Sequence, residues 1–438
     1  MAPGLRAYRE HFLRLARGER LPHPSPGQAP PPSRRGRPCY PRLAVYTGGG
    51  SSHSWLWFAE LFERLGLYDL VFADHRRLAA GGLAGCHGLA MSGGDTFGVA
   101  AALGAAGAAA LEEFVSRGGL YLGTCAGAYL PLNSSKSPLD LFNWVPARIT
   151  NLSSRLPLAI DLPEKAATPY GCAYVFHPVR EEVLLATCGR QPWAGQPPFV
   201  APLYGGPAMV EAAPGQVLAR YLEFTPRTRF LVDRRLAAET LVGRAAALRV
   251  DKGQGVLYLL GPHFEHPRYP QANRLLARAL CWDLAPAPPL PAADPEPVET
   301  LRGRAARTWL TDLKREVSNV RIVGLGLESH PARWRLGHKV YEPAKLRVYA
   351  EAAWRRLQRL ERAPELVLPP AGEELTAAWR GVREQVRALQ RGLAAGRDTQ
   401  AAARELFPAL GRATAALMET YFRNLLARPA LGRRRRAA

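Results

Sequence analysis

No two of the six cysteines form a C-x-x-C pair. Cys39, Cys86, Cys125, Cys172, Cys188 and Cys281 lie far apart, which speaks against a zinc site or a disulfide framework and fits a reducing cytoplasm. No apolar run approaches the roughly 20 residues of a membrane span. The N-terminus lacks the apolar core of a signal peptide, and Leu5 to Leu15 reads instead as a short amphipathic helix. Glycine-rich Gly48-Gly49-Gly50 has neither G-x-G-x-x-G spacing nor the Lys-Ser/Thr of a P-loop. The C-terminal third shows no carboxylate/histidine spacing of a metal site. No metal and no cofactor are expected. Acidic residues are scarce, 37 against 58 basic ones, for a net charge of +21. The excess is almost all arginine, spread along the chain, and its one dense run, Arg433 to Arg436, reads as a basic tail. Neither nucleic acid nor a membrane is expected as a partner.

What is present is ordinary globular composition, 47% apolar and 22% charged over 438 residues, enough for two or three domains. Residues 1–42 are expected to be an N-terminal helix and a Pro-rich linker, and 286–297 a Pro/Ala linker. Between them, 43–285 alternates strand and helix: strands at Leu43 to Tyr46, Leu70 to Ala73 and Gly88 to Met91, with helices at Trp55 to Leu65 and around Leu111 to Ser116. That alternation means a parallel sheet with helices on both faces. Residues 132–250 read as loop-rich with short strands at Tyr174 to Phe176, Val183 to Ala186 and Val217 to Tyr221, and a helix from Gln271 to Cys281 closes the domain. In 298–438, apolar residues recur every three to four positions, predicting helices near Val298 to Val320, Pro343 to Arg362, Gly372 to Gly392 and Thr399 to Ala427, an all-α bundle.

The chain is organised around Gly118 to Leu130. A β-prone run, Leu120-Tyr121-Leu122, hands over to a helix-compatible stretch at Cys125, with Gly123 and Gly127 leaving room for a sharp turn that lifts a nucleophile above a sheet. A thiol at a helix N-terminus is biased toward thiolate; the alternative is a small buried cysteine. The strand ending at Met91 runs into Ser92-Gly93-Gly94-Asp95, so a second glycine-rich strand end can converge on the same pocket, with Asp95 either a ligand or a helix cap. An apolar strand from Val256 to Leu260 then delivers His263 and Glu265. Alternate residues of an extended segment face one way, so Glu265 can orient the imidazole and the imidazole activate a thiol. By itself H-x-E after a strand is also a common surface pair. His177 before Pro178 reads as a strand-end residue.

Taken in order, Tyr46-Thr47-Gly48-Gly49-Gly50-Ser51, Ser92-Gly93-Gly94-Asp95, Gly118 to Tyr129, Tyr204-Gly205-Gly206-Pro207 and Gly261-Pro262-His263-Phe264-Glu265 resemble the biotin–protein ligase N-terminal domain family, within the class I glutamine amidotransferase-like superfamily. The resemblance spans about residues 43 to 283. It implies a flavodoxin-like α/β fold, with Cys125 as nucleophile, His263 as base and Glu265 as orienting acid. Gly94 and Ala126 N–H groups would form the oxyanion hole, and Gly93, Asp95, Tyr204, Gly205 and Gly206 would line the substrate site. Two residues depart from the family pattern, which has proline at the positions of Phe264 and Ser92. No segment resembles the catalytic or biotin-binding parts of a biotin ligase. The expectation is a cytoplasmic cysteine-dependent amidase, hydrolase or amidotransferase-like enzyme, working through a thioester on a small-molecule amide or carboxylate-containing substrate. The alternative is a non-catalytic ligand-binding or regulatory module whose C-terminal helices bind a protein partner.

Overall fold

The computed structural model describes residues 41–150, 178–210, 216–284, 299–361, 363, 365–368 and 372–434, together with Phe12, Arg14 and Leu15. The expected strand at Tyr174 to Phe176, His177, the linker 286–297 and nearly all of the N-terminal segment lie outside the described residues.

Short apolar runs bounded by glycine and polar residues become strands: β1 (Leu43–Tyr46), β2 (Leu70–Ala73), β3 (Gly88–Met91) and β4 (Leu120–Thr124). Between them lie α1 (Trp55–Arg64), α2 (His75–Ala79) and α3 (Thr96–Ser116), and α4 (Ala126–Tyr129) follows β4. The middle of the chain holds more regular structure than its turn-rich sequence suggests. After β5 (Arg148–Ile149) come β6 (Val179–Thr187), β7 (Phe199–Leu203), β8 (Met209–Val210), β9 (Val217–Phe224), β10 (Arg229–Phe230), α5 (Arg234–Leu241), β11 (Ala245–Lys252), β12 (Gly255–Leu260) and α6 (Pro270–Leu284). β7, β11 and α5 had no expectation against them, and the β11 run, AAALRVDK, has weak β propensity.

Strands β2, β1, β3, β4 and β12 are mutually parallel in that order. Beyond β12 the sheet continues antiparallel through β11, β9 and β6. Alternate residues divide between two cores, as a period of two requires. Leu43, Val45, Leu120, Leu122, Tyr258 and Leu260 join one, with Phe58 of α1 and Leu276 of α6. Ala44, Tyr46, Tyr121, Leu257 and Leu259 join the other, with Val99 and Leu111 of α3. Register then aligns the strand ends: Met91 pairs with Gly123, and Thr124 with Leu260. The loops carrying Gly93, Cys125 and His263 therefore emerge side by side at the carboxyl edge.

The expectation that no apolar run reaches a membrane-spanning length needs correcting. By length and composition α3, 21 residues, is long and apolar enough to cross a membrane. It breaks at Gly104 (φ 57°), and Val99, Leu103, Leu111 and Val115 are buried against the sheet.

The C-terminal region opens on a strand rather than a helix: β13 (Glu299–Arg302) pairs antiparallel with β16 (Glu365–Leu368). Helices α7 (Gly303–Leu327), α8 (Pro343–Leu360), α9 (Gly372–Ala394) and α10 (Gln400–Arg434) pack on one another, and between α7 and α8 a hairpin forms from β14 (Trp334–Leu336) and β15 (Lys339–Tyr341). These helices share a core with the sheet: Phe422 stacks near Phe72 at 5.8 Å and Tyr349 lies 6.4 Å from Trp55. At the seam, Glu63 of α1 accepts from Arg356 Nη2 at 3.0 Å, from Arg359 and from the Tyr421 hydroxyl at 2.5 Å.

Candidate active site

Cys125 sits between β4 and α4 with φ 51° and ψ −110°, one of two non-glycine residues with positive φ among the described residues. An L residue holds that conformation only where its surroundings force it. Here the Cys125 N–H donates to Leu260 O at 2.9 Å, and the Tyr121 hydroxyl ties β4 to α4 through Gly127 O at 2.7 Å. Gly127 has to lack a side chain, since a Cβ there would lie 2.1 Å from Met91 O. The expected sharp turn is present. The expected dipole effect is not well served, because α4 is a single turn of four residues and sums few peptide dipoles.

His263 and Glu265 lie beyond β12, in turn rather than in extended backbone, so their common side comes from a fold-back, with the His266 N–H donating to His263 O at 3.2 Å. His263 Nδ1 is 2.7 Å from Glu265 Oε1. The same carboxylate oxygen accepts from Thr124 Oγ1 at 2.9 Å and Ser92 Oγ at 3.2 Å. Ser92 thus uses the place of the family's proline to hold the acid. Phe264 turns the other way, stacked at 5.4 Å on Trp193 and edge-on to Phe199, and Asn273 Nδ2 of α6 clamps the segment through Phe264 O (2.6 Å) and His266 O (3.1 Å).

The thiol of Cys125 and the imidazole of His263 lie close enough to shift each other's titration. Burial pushes the thiol up, but the imidazolium beside it and Lys339 outweigh that and leave it below its ordinary value. Burial likewise pushes His263 down, and the Glu265 carboxylate and the thiolate more than reverse it, to about 9. Each group thus favours the charged form of the other. The neighbouring histidines stay neutral: burial drives His266 down to about 3 and His53 well below its usual range, each helped by the positive charge nearby.

Trp57 stands edge-on to His263 at 5.1 Å and against His266 at 4.4 Å, and Tyr204 lies 5.7 Å from His263. Gly93 lies directly against the imidazole, where a Cβ would come within 2.6 Å of Cε1. Gly93→Ala should therefore displace the ring and slow iodoacetamide alkylation of Cys125 by on the order of tenfold or more, the scale of misplacing one catalytic contact. An unchanged rate would mean that the ring position does not control the thiol.

Of the remaining expected site residues, Gly94 and Ala126 flank the elbow. Ala126 is the first residue of its helix, so its N–H has no intrahelical acceptor. Around Gly94 the pairing uses the neighbours, Ser52 N–H to Gly93 O and Asp95 N–H to Gly50 O. Gly206 packs onto the elbow, with the position of a Cβ 3.1 Å from Cys125 Cα. Asp95 stands at the N-cap of α3 without a side-chain capping bond; its carboxylate accepts from the His338 N–H at 2.8 Å and meets His338 Nδ1 at 3.0 Å. The β14–β15 hairpin therefore reaches Asp95. A cavity of about 690 Å³ opens between the Gly48–Ser51 loop and the C-terminal helices, with Asp95, Tyr349 and Arg404 in its wall, but Cys125, His263 and Glu265 are not among its lining residues. Among the described residues no group of three or more His, Cys, Asp or Glu side chains could hold a metal ion.

Sequence reasoning missed His53, Trp57, Thr124, Lys339 and His338. Thr124 and the His53-Ser54-Trp55-Leu56-Trp57 run lay beside motifs already noted, whereas nothing local marks Lys339 and His338, which reach the site only through the fold.

Residues 43–136 match the family model described as biotin–protein ligase, N terminal. The match covers the elbow and stops short of His263 and Glu265. No curated protein sequence matches the chain. Among solved structures it is similar to a β-galactosidase from Bacillus circulans sp. alkalophilus, with 14% identity and a TM-score of 0.30 over 59% of this chain and 33% of that one. A ThuA-like protein of Bacteroides uniformis, so described provisionally, gives 14% identity and a TM-score of 0.34 over 56% of this chain and 91% of that one. The chain thus spans about a third of the length of the β-galactosidase, and neither likeness bears on function.

Proposed function

We propose that the segment matching the biotin–protein ligase N-terminal family is the nucleophile-bearing part of a cysteine-dependent amidase or amidotransferase-like enzyme. The observation that carries this reading is the buried His263, held at 2.7 Å by Glu265 through Nδ1 and acting on Cys125 to lower its thiol pKa. The Cys125 thiolate attacks the carbonyl carbon of an amide. The oxyanion faces the N–H groups of Gly94 and Ala126, and the His263 imidazolium gives its proton to the departing nitrogen. Water, or an amine, then attacks the thioester while His263 takes its proton, releasing acid or new amide and restoring the thiol. The parallel strand order β2-β1-β3-β4-β12 supports a flavodoxin-like core within a class I glutamine amidotransferase-like fold. The free thiols of Cys86, Cys125, Cys188 and Cys281 suit a reducing cytoplasm.

Cys125→Ser should lower turnover of a responsive amide, glutamine being the first to screen, by at least about a thousandfold with the fold intact, because a hydroxyl is not ionised by this imidazole. Retained turnover would overturn the assignment. A second reading, a ligand-binding module with a partner on its helices, is favoured by the interdomain cavity, which lies apart from the three residues. It expects an unreactive thiol.

A further inference from the structure

Arg180, at the start of β6, is 3% exposed, yet neither Nη1 nor Nη2 has a hydrogen-bond partner among the described residues. A guanidinium is always charged, and burying it without a counter-charge is among the most costly arrangements a fold can hold. Its placement gives a reason. In the β6–β7 register Glu181 pairs with Leu203, which sets Arg180 level with Tyr204 as the chain leaves β7 for the site. Gly205 (φ 119°) lies against the guanidinium, where a Cβ would come within 2.9 Å of Nη1, and the next residue, Gly206, packs on Cys125 Cα. Glu181, beside Arg180, is the other non-glycine residue with positive φ, strain of the kind a fold keeps at a functional site.

We infer that Arg180 is an anion-binding residue of the Cys125 site and that it takes a carboxylate, so that the substrate is an amide bearing a carboxylate a few bonds from the scissile carbon. The bare Gly205 leaves the guanidinium fork open for a bidentate carboxylate, which supplies the charge that no described residue provides. The inference rests on reading Cys125 as the nucleophile.

Two alkylating reagents separate the two ideas. Iodoacetamide and iodoacetate both react by attack of the thiolate sulfur on the CH2 carbon with loss of iodide, and only the second carries a carboxylate. The ratio of iodoacetate to iodoacetamide rates at Cys125 should fall by on the order of tenfold in Arg180→Met, with the iodoacetamide rate itself little changed, the scale of one charge-assisted bond. Arg180→Lys, which keeps a charge but not the fork, should fall between. Because the variant removes an unpaired buried charge, Arg180→Met should match or exceed wild type in Tm. An unchanged ratio with a reactive thiol overturns the inference and leaves the nucleophile standing, and a lower Tm in Arg180→Met overturns it by marking the guanidinium as structural. If wild-type Cys125 is inert to both reagents, the enzyme reading fails. Millimolar glutarate then decides Arg180: a rise in Tm of wild type that Arg180→Met lacks supports the carboxylate site, and no rise overturns it.

Discussion

At pH 7, His263→Ala is expected to slow iodoacetamide alkylation of Cys125 by on the order of tenfold or more, since each pKa unit by which the thiol rises costs about tenfold in thiolate. With the imidazolium gone, the burial that already pushes the thiol up is no longer opposed by its strongest partner. The sign also fixes the pH profile. The lowered thiol pKa moves the rise in wild-type rate to lower pH than for free cysteine, and the imidazolium persists until its proton is lost near 9. In His263→Ala the rise should move to the alkaline side of free cysteine. Coincident profiles in the two proteins would remove the case for an activated nucleophile.

Glu63→Ala should destabilise the protein by about 3–5 kcal/mol, the cost of stripping the partner from a buried ion pair. Arg356, 3% exposed, would keep its charge in the seam between α1 and α8 with no carboxylate to meet it, and the Tyr421 hydroxyl would lose its acceptor. The exposed side of the cluster matters less, since Arg359 is half in solvent. Glu63→Gln, which keeps an acceptor of the same shape, should cost less. Urea unfolding followed by tryptophan fluorescence reads both, with Trp55 reporting from the seam; a loss below about 1 kcal/mol for Glu63→Ala would mean that the cluster behaves as a surface pair.

The parallel half of the sheet was legible because its strands are short apolar runs whose boundaries are set by adjacent glycine and polar residues: β1, β2 and β3 coincide with expectation. So was the elbow, since its glycines mark a backbone constraint that no other residue satisfies. The antiparallel half was only partly legible, as the pairing of β11 with β9 and β8 depends on segments remote in sequence. The helices of the C-terminal region follow from their period, but β13, β16 and the β14–β15 hairpin are too short to show one. Of the site, Cys125, His263 and Glu265 were readable as a set through the ordered motifs, though the carboxylate side was reached by a turn and not by extended alternation. Arg180 could not be read at all. Its significance lies in the missing partner, and a missing partner is a property of packing and not of spacing.

The hairpin that meets Asp95 comes late in the chain. During synthesis the strands bearing Cys125, His263 and Glu265 leave the ribosome well before residues 334–341 exist, and amino-terminal domains fold as they emerge. In every newly made chain Cys125, His263 and Glu265 precede His338, the hairpin residue that meets Asp95, by an interval whose length is set by translation speed rather than by chemistry.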